Sequence, residues 1–182
     1  MDKKQSVAST AEVITKRRRA LNTKKGYISL LIRIILLVGI GYILFTQVFL
    51  ITRAHGNDMF PAIKDGDLVV AFRLHKEYVK EDVAVYKVNG SSYLGRVVAR
   101  ETDIVTLDDS GILLVNDGVQ SGEIVFPTLA KERFNYPLKV PKNALFFLGD
   151  YRTHSEDSRD FGPIPLKQVK GKVITILRRR GL

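Results

Sequence analysis

From Tyr27 to Ile51 the chain reads YISLLIRIILLVGIGYILFTQVFLI, and between Ile34 and Ile51 it carries no charge. About 20 apolar residues cross a bilayer as a helix. The run therefore predicts one transmembrane helix over 27–51, with Arg33 reaching back to the headgroups. A buried core helix is disfavoured because the run is apolar all round and its upstream flank is strongly basic. A cleaved secretory leader is disfavoured too: the segment before the run is too long, and ITRAHG after it lacks a small-x-small cleavage site.

Beyond Ile51 the texture changes to short apolar and β-branched segments broken by Gly, Asn, Asp and Pro. They predict strands at Leu68–Phe72, Val83–Val88, Tyr93–Ala99, Ile104–Leu107, Ile112–Val115, Ile124–Phe126, Ala144–Leu148 and Val173–Leu177. Asp108–Gly111 and Asn116–Gly118 are turn signals between them. Only Phe60–Lys64 and Pro165–Val169 read as single helical turns. The expected fold is mainly β, an antiparallel barrel or sandwich behind one N-terminal transmembrane helix. The expected domains are a basic cytoplasmic tail (1–26), the anchor (27–51) and an extracytoplasmic β domain (52–182).

Charge refines the topology. The net charge is +10. Residues 1–52 hold nine Lys/Arg against two acids, and residues 53–182 hold twenty against seventeen. The excess sits in front of the apolar run, where it serves as a topology signal rather than a nucleic-acid surface. The chain is thus expected to be a single-pass membrane protein with its N-terminus cytoplasmic and its C-terminal domain outside. Cysteine is absent, which excludes disulfides, thiolate zinc sites and cysteine nucleophiles, a sortase-type transpeptidase among them. No ligand spacing predicts a metal, and no motif predicts a cofactor.

The stretch RAHGNDMFPAIKDGDLVV, Arg53–Val70, has the setting of a catalytic loop: a Gly, a bulky Met, a Pro and a Gly-Asp turn leading into a strand. Its exposed position holds Asp58. Five features together carry a resemblance: the anchor; GNDMFPAIKDGDLV; EDVAVYK; YLGRVVARETDIVTLDDSGILLVNDG; and VPKNALFFLGDYRTHSEDSRDFGPIP. In order and approximate spacing they resemble the boxes of the type I signal peptidases, membrane-anchored Ser/Lys enzymes that cut leader peptides from secreted proteins. The resemblance runs from the anchor to about Val173.

The departures fall on the dyad positions. Asp58 stands where the family pattern has its Ser nucleophile, and Gly95 where it has its Lys general base. A Ser/Lys mechanism needs a hydroxyl and a desolvated neutral amine within hydrogen-bond reach. A carboxylate at 58 would also oppose an oxyanion held by the backbone N–H groups of Gly56 and Asp58. The expectation is a non-catalytic homologue, with space left where the lysine would lie. Two other constellations compete: a Ser-His-Asp set within His154–Ser158, and a shared-proton pair of Asp58 with Asp150.

The resemblance implies further roles. Asn57, Met59 and Pro61 flank Asp58 beside the substrate groove; Tyr93, Leu94 and Arg96 flank Gly95. Asp150 shapes a Gly-Asp turn. Ser155 would support the lysine, Ser158 belongs to the same box, and Asp157 with Arg159 would form a structural ion pair. Thr52–Asn57 and Ser91–Leu94 would grip an extended peptide by β-augmentation. The chain resembles in particular the degenerate signal-peptidase-like proteins of Gram-positive pilus loci. The expected role is therefore assembly factor or chaperone for a secreted surface protein, a pilin in the first instance, with sortase a further partner. A peptidase with a rearranged site and a regulatory partner of an active signal peptidase remain open, as does the oligomeric state.

Overall fold

A computed structural model describes residues 2–120 and 126–178, with side chains from Lys24 onward. The chain divides into a helical unit through Thr46 and a β unit from Gln47. The helix α1 runs Asp2–Val48. Its Lys24–Val48 portion is long and apolar enough to cross a membrane, and none of it is buried. Such a side-chain set needs an apolar surround that water does not supply. The last three residues of the apolar run leave the helix. Phe49–Arg53 is strand β1, paired antiparallel with β2 (Leu68–Phe72) from Phe49↔Phe72 to Arg53↔Leu68.

The strands that follow are β3 (Val83–Val88), β4 (Ser91–Ala99), β5 (Ile104–Leu107), β6 (Leu113–Val115), β7 (Gly118–Val119), β8 (Leu138–Lys139) and β9 (Ala144–Leu148). A short helix α2 (Ser158–Phe161), β10 (Ile164–Pro165), a 3-10 turn at Leu166–Gln168 and β11 (Val169–Leu177) complete the chain. They form two antiparallel sheets, β1-β2-β11-β3-β4-β9-β10 and β7-β6-β5-β8. Seven of the eight expected strands are present within a few residues of their predicted bounds. Of the eighth, Ile124 and Val125 lie outside the described residues, and Phe126 is in a bend. The expected turn near 60–64 is a single turn closed by Ile63 N–H donating to the Met59 carbonyl at 2.8 Å.

Strand β9, ALFFL, is buried at all five positions. Alternate side chains of a strand point to opposite faces, so it serves two cores. Ala144, Phe146 and Leu148 pack with Val105, Leu107, Leu113 and Val115 from the smaller sheet. Leu145 and Phe147 pack with Tyr86, Val97 and Ile164. A third cluster, Ala54, Met59, Ile63 and Val69, anchors the loop between β1 and β2. The β3–β4 hairpin turns on Asn89-Gly90, both at positive φ (50° and 87°). This is the two-residue geometry that matches strand twist, and it sets the register Tyr86↔Tyr93 and Ala84↔Gly95.

Candidate functional site

The loop after β1 brings Asp58 to the surface immediately before two buried residues of the same loop. Met59 and Ile63 are each about 98–99% buried in the third core cluster; with them the loop is pinned from below. The Tyr151 N–H donates to the Asp58 carbonyl (2.9 Å). A Cβ on Gly149 would lie 2.5 Å from that carbonyl, so the two segments touch backbone to backbone. Gly56 sits at φ 75°, and its N–H donates to Asp65 Oδ1 at 2.8 Å. That engagement corrects one expectation: the Gly56 N–H is already satisfied and does not point free at an oxyanion. Asn57 and Pro61 are exposed; the Asn57 carbonyl accepts from Phe60 N–H at 2.9 Å.

Asp58 is half-buried, and its carboxyl is held above the ordinary aspartate range. Loss of solvent is the main cause, followed by the charges of Glu156 and Asp157. A backbone hydrogen bond from Glu156 and the charge of Lys131 oppose the shift. Lys131 is itself engaged, donating to the Ser155 carbonyl at 2.9 Å and to Asp160. Glu156 accepts from Tyr93 Oη at 3.3 Å.

Gly95 is buried in β4, but the space over it is full. A Cβ there would meet Tyr86 Cε1 at 3.0 Å and Phe147 Cβ at 3.1 Å. Tyr86 is the diagonal cross-strand neighbour of Gly95, and its ring stacks on Phe147 (centroids 4.6 Å) and Tyr93 (5.8 Å). An aromatic ring laid over a strand glycine recovers the packing that the missing side chain forgoes. The expected open space at the lysine position is therefore occupied. Among the described residues the buried Tyr86 hydroxyl has no hydrogen-bond partner. Burial, and then the charges of Asp157 and Asp58, push it well above the usual tyrosine range.

The remaining residues form the frame. Arg96 donates to both oxygens of Asp150, Nε at 2.8 Å and Nη2 at 2.7 Å. This fork spends the Asp150 carboxylate, so Asp150 shares no proton with Asp58. Asp157 and Arg159 form a buried forked pair (2.9 and 2.8 Å), and Asp157 also caps α2. Ser155 Oγ donates to Asp157 Oδ2 at 2.8 Å, and Ser158 Oγ accepts from Phe147 N–H at 2.9 Å. His154 stacks on Tyr151 and pairs with Thr153. Ser155 and His154 therefore turn to different partners, and no Ser-His-Asp set is assembled. Among the described residues, no group of three acids or histidines is arranged to hold a metal.

Beside Asp58 lies a cleft of about 180 Å³. Residues 52–56 form one wall, residues 91–94 the other, and Met59, Ile63 and Val85 the floor. Strand β1 is a sheet edge, and β9 joins β4 only from Arg96 onward. Each wall thus carries strand backbone with an unpaired side. Leu94 and Tyr93 belong to the second wall; Arg96, one turn of the pleat further on, does not line the cleft. Sequence reasoning located both walls but missed Tyr86 and Glu156.

Residues 27–177 match the family model for signal peptidase, peptidase S26, and the chain belongs to that family. It is 34% identical over 131 residues to probable thylakoidal processing peptidase 2 of Arabidopsis thaliana, covering 65% of this chain and 35% of the relative. It is 27% identical over 139 residues to signal peptidase I of Bacillus caldolyticus, covering 65% of this chain and 73% of that protein. The chain thus spans little more than a third of the length of the thylakoidal relatives, 35% and 38%. A crystal structure of a signal peptidase I from Enterococcus faecalis aligns with a TM-score of 0.45 and 25% identity, over 55% of this chain and 98% of that one.

Proposed function

We propose that this protein holds an extended segment of a secreted surface protein without cutting it, and so acts as a membrane-anchored assembly factor. The segment is a pilin's in the first instance, at sites of sortase-driven pilus polymerisation. The observation that carries the reading is the pairing of a formed cleft with an unsuited dyad: two walls with unpaired strand edges, Asp58 at one dyad position, and Gly95 sealed beneath Tyr86 at the other. Main-chain pairing supplies grip without chemistry. A carboxylate supplies no acyl-enzyme of useful stability, and the Lys131 amine whose charge reaches it is committed to Asp160 and the Ser155 carbonyl. The N-terminal tail lies in the cytoplasm and the β domain outside, in keeping with the basic flank of the anchor.

A competing reading, cleavage at a rearranged site, draws on Glu156 acting on Asp58 and on relatives named as peptidases. One experiment addresses both. Cells lacking the protein are complemented with wild type or Ser92→Trp, a substitution at an exposed position on the cleft wall. Polymer ladders of the surface protein and leader processing are then read on immunoblots, with circular dichroism of the purified variant as folding control. Wild type restores ladders with leader processing unchanged, and folded Ser92→Trp does not. Normal ladders from folded Ser92→Trp overturn the groove reading. Leader cleavage by purified wild type that disappears in Asp58→Ala establishes the peptidase.

A further inference from the structure

The neighbouring strands β1, β2 and β11 present an apolar outer side that the core does not use. Directly paired residues of antiparallel strands share a side, and so does every second residue along each strand. The register therefore sorts the side chains. Val69 and Ala71 of β2 are fully buried, and their partners Ile176 and Val173 on β11 turn to the same, inner side. The outer side carries Ile51 on β1, Leu68, Val70 and Phe72 on β2, and Leu177 on β11. All five are exposed or half-buried, and none belongs to a core cluster. Ile51 is 49% exposed and Leu177 55%. The charges on this side are Arg53 and Lys172, at opposite ends of it, and no acid stands among its paired residues.

A contiguous apolar side of this kind marks a partner or a membrane, and two observations select the membrane. Strand β1 begins at Phe49, directly after the apolar helix ends at Val48, so the outer side is joined to the candidate span without a linker. A five-residue strand extends roughly 17 Å, so Arg53 at its far end stays within that distance of the end of the helix. The second observation is charge. Apolar side chains flanked by cations, with no acid between them, complement acyl chains beneath a layer of phosphate. Lys172 reaches Asp82 at 2.7 Å, whereas Arg53 forms no ion pair among the described residues.

We propose that the outer side of β1, β2 and β11 is a lipid-contact surface. Ile51, Val70 and Leu177 bed into the boundary between headgroups and acyl chains, and Arg53 pairs with headgroup phosphate, most strongly where the lipid is anionic. The helix alone retains the chain in the bilayer; this surface decides which side of the β unit meets lipid. The inference is independent of what the cleft holds.

The chain has no tryptophan, so single tryptophans report locally. Leu177→Trp is the decisive reporter, because β11 is separated from β1 by β2, whereas Ile51 lies beside the helix whatever the β unit does. Val119→Trp, at a position 66% exposed on the smaller sheet, is the control. Each full chain is reconstituted into vesicles containing lipid brominated near the top of the acyl chain, either as phosphatidylcholine alone or with phosphatidylglycerol added. Leu177→Trp emission falls at least twofold, and Val119→Trp emission is unchanged. Phosphatidylglycerol deepens the quenching of Leu177→Trp, and Arg53→Gln removes that deepening while keeping the quenching in phosphatidylcholine. Equal quenching of the two reporters overturns the lipid-contact surface. Quenching that is the same in both lipids overturns the phosphate contact of Arg53. A blue shift of Leu177→Trp without quenching, growing with the protein-to-lipid ratio, assigns this side to a second copy of the chain and overturns the proposal.

Discussion

Gly95→Ala is a sensitive probe of the site, because its cost is set by one identifiable neighbour. The added Cβ meets Tyr86 Cε1 at 3.0 Å and Phe147 Cβ at 3.1 Å, both tighter than an ordinary carbon contact of about 3.5–4.0 Å. Phe147 is held by β9, whose five residues are all buried, and its N–H is tied to Ser158 Oγ. Tyr86 stacks between Phe147 and Tyr93 and cannot slide freely. Overpacking of this kind costs about 1–3 kcal/mol. For a β unit of this size that is a fall in midpoint of roughly 3–10 °C.

Most of that cost comes from contact with the Tyr86 ring, so it should be conditional on the ring. Tyr86→Ala alone opens a cavity and destabilises by about 3–5 kcal/mol. Adding Gly95→Ala in that background then costs less than about 0.5 kcal/mol, a coupling within the range for touching residues. Urea unfolding of the full chain in micelles, followed by tyrosine fluorescence, measures all four corners. Equal costs of Gly95→Ala in both backgrounds, or a neutral Gly95→Ala, would refute the claim that Tyr86 fills the space over Gly95. The same logic applies to Asp58→Ser with Gly95→Lys, which should lower stability and yield no leader cleavage, measured on a purified preprotein.

Asp58→Asn should raise stability at neutral pH. The native carboxyl titrates above its unfolded value of 3.8, so the charged form is disfavoured by folding, and the penalty is present above the native pKa and gone below about 3.8. The gain, under about 1 kcal/mol because the group is half exposed and screened, should vanish as thermal melts are taken down to pH 3; a gain that persists there contradicts the assignment. Gly149→Ala should be far more damaging than Gly95→Ala. Its Cβ would fall 2.3 Å from Ser155 Cβ and 2.5 Å from the Asp58 carbonyl, and backbone cannot step aside as a side-chain tip can. Loss of more than about 3 kcal/mol, beyond ordinary overpacking, is expected in the same urea assay. Asp157→Asn, which leaves the buried Arg159 without its charge partner, should cost about 3–5 kcal/mol, read as a drop in midpoint with unchanged slope.

Period-two patterning made most of the β unit legible, because half-buried antiparallel strands write it directly into the sequence. Elements formed by pairing rather than by burial were not legible. Strand β7 has two exposed residues and β8 one, and β1 lies hidden at the end of an apolar run that continues without a break from the helix. The forked pair of Asp157 with Arg159 and the segments that line the cleft were implied by the family resemblance rather than by the residues alone. Gly56 could not be judged as an oxyanion donor, because its partner Asp65 lies nine residues along and meets it only through the fold of the loop. Glu156 entered only as one of the residues within His154–Ser158.

Tyr86 is the instructive omission, since its signal was present. Asn89-Gly90 is the strongest short-range sign of a two-residue hairpin. Counting outward from it pairs Val88 with Ser91, Tyr86 with Tyr93 and Ala84 with Gly95. One face of the ribbon then carries Tyr86, Tyr93 and Gly95 together, and an aromatic ring beside a strand glycine leans over it. Read this way, Gly95 and Tyr86 are one feature. A strand glycine with open space above it would accept a side chain by one substitution. A glycine capped by a fully buried tyrosine, itself stacked on Phe147, is an alternative packing in which each residue depends on the other. The ring also fills the space into which a side chain at 95 would grow. What remains open is the cleft in front of it, with its two unpaired walls and an acid at its end, and that is the part of the site on which a binding function can be built.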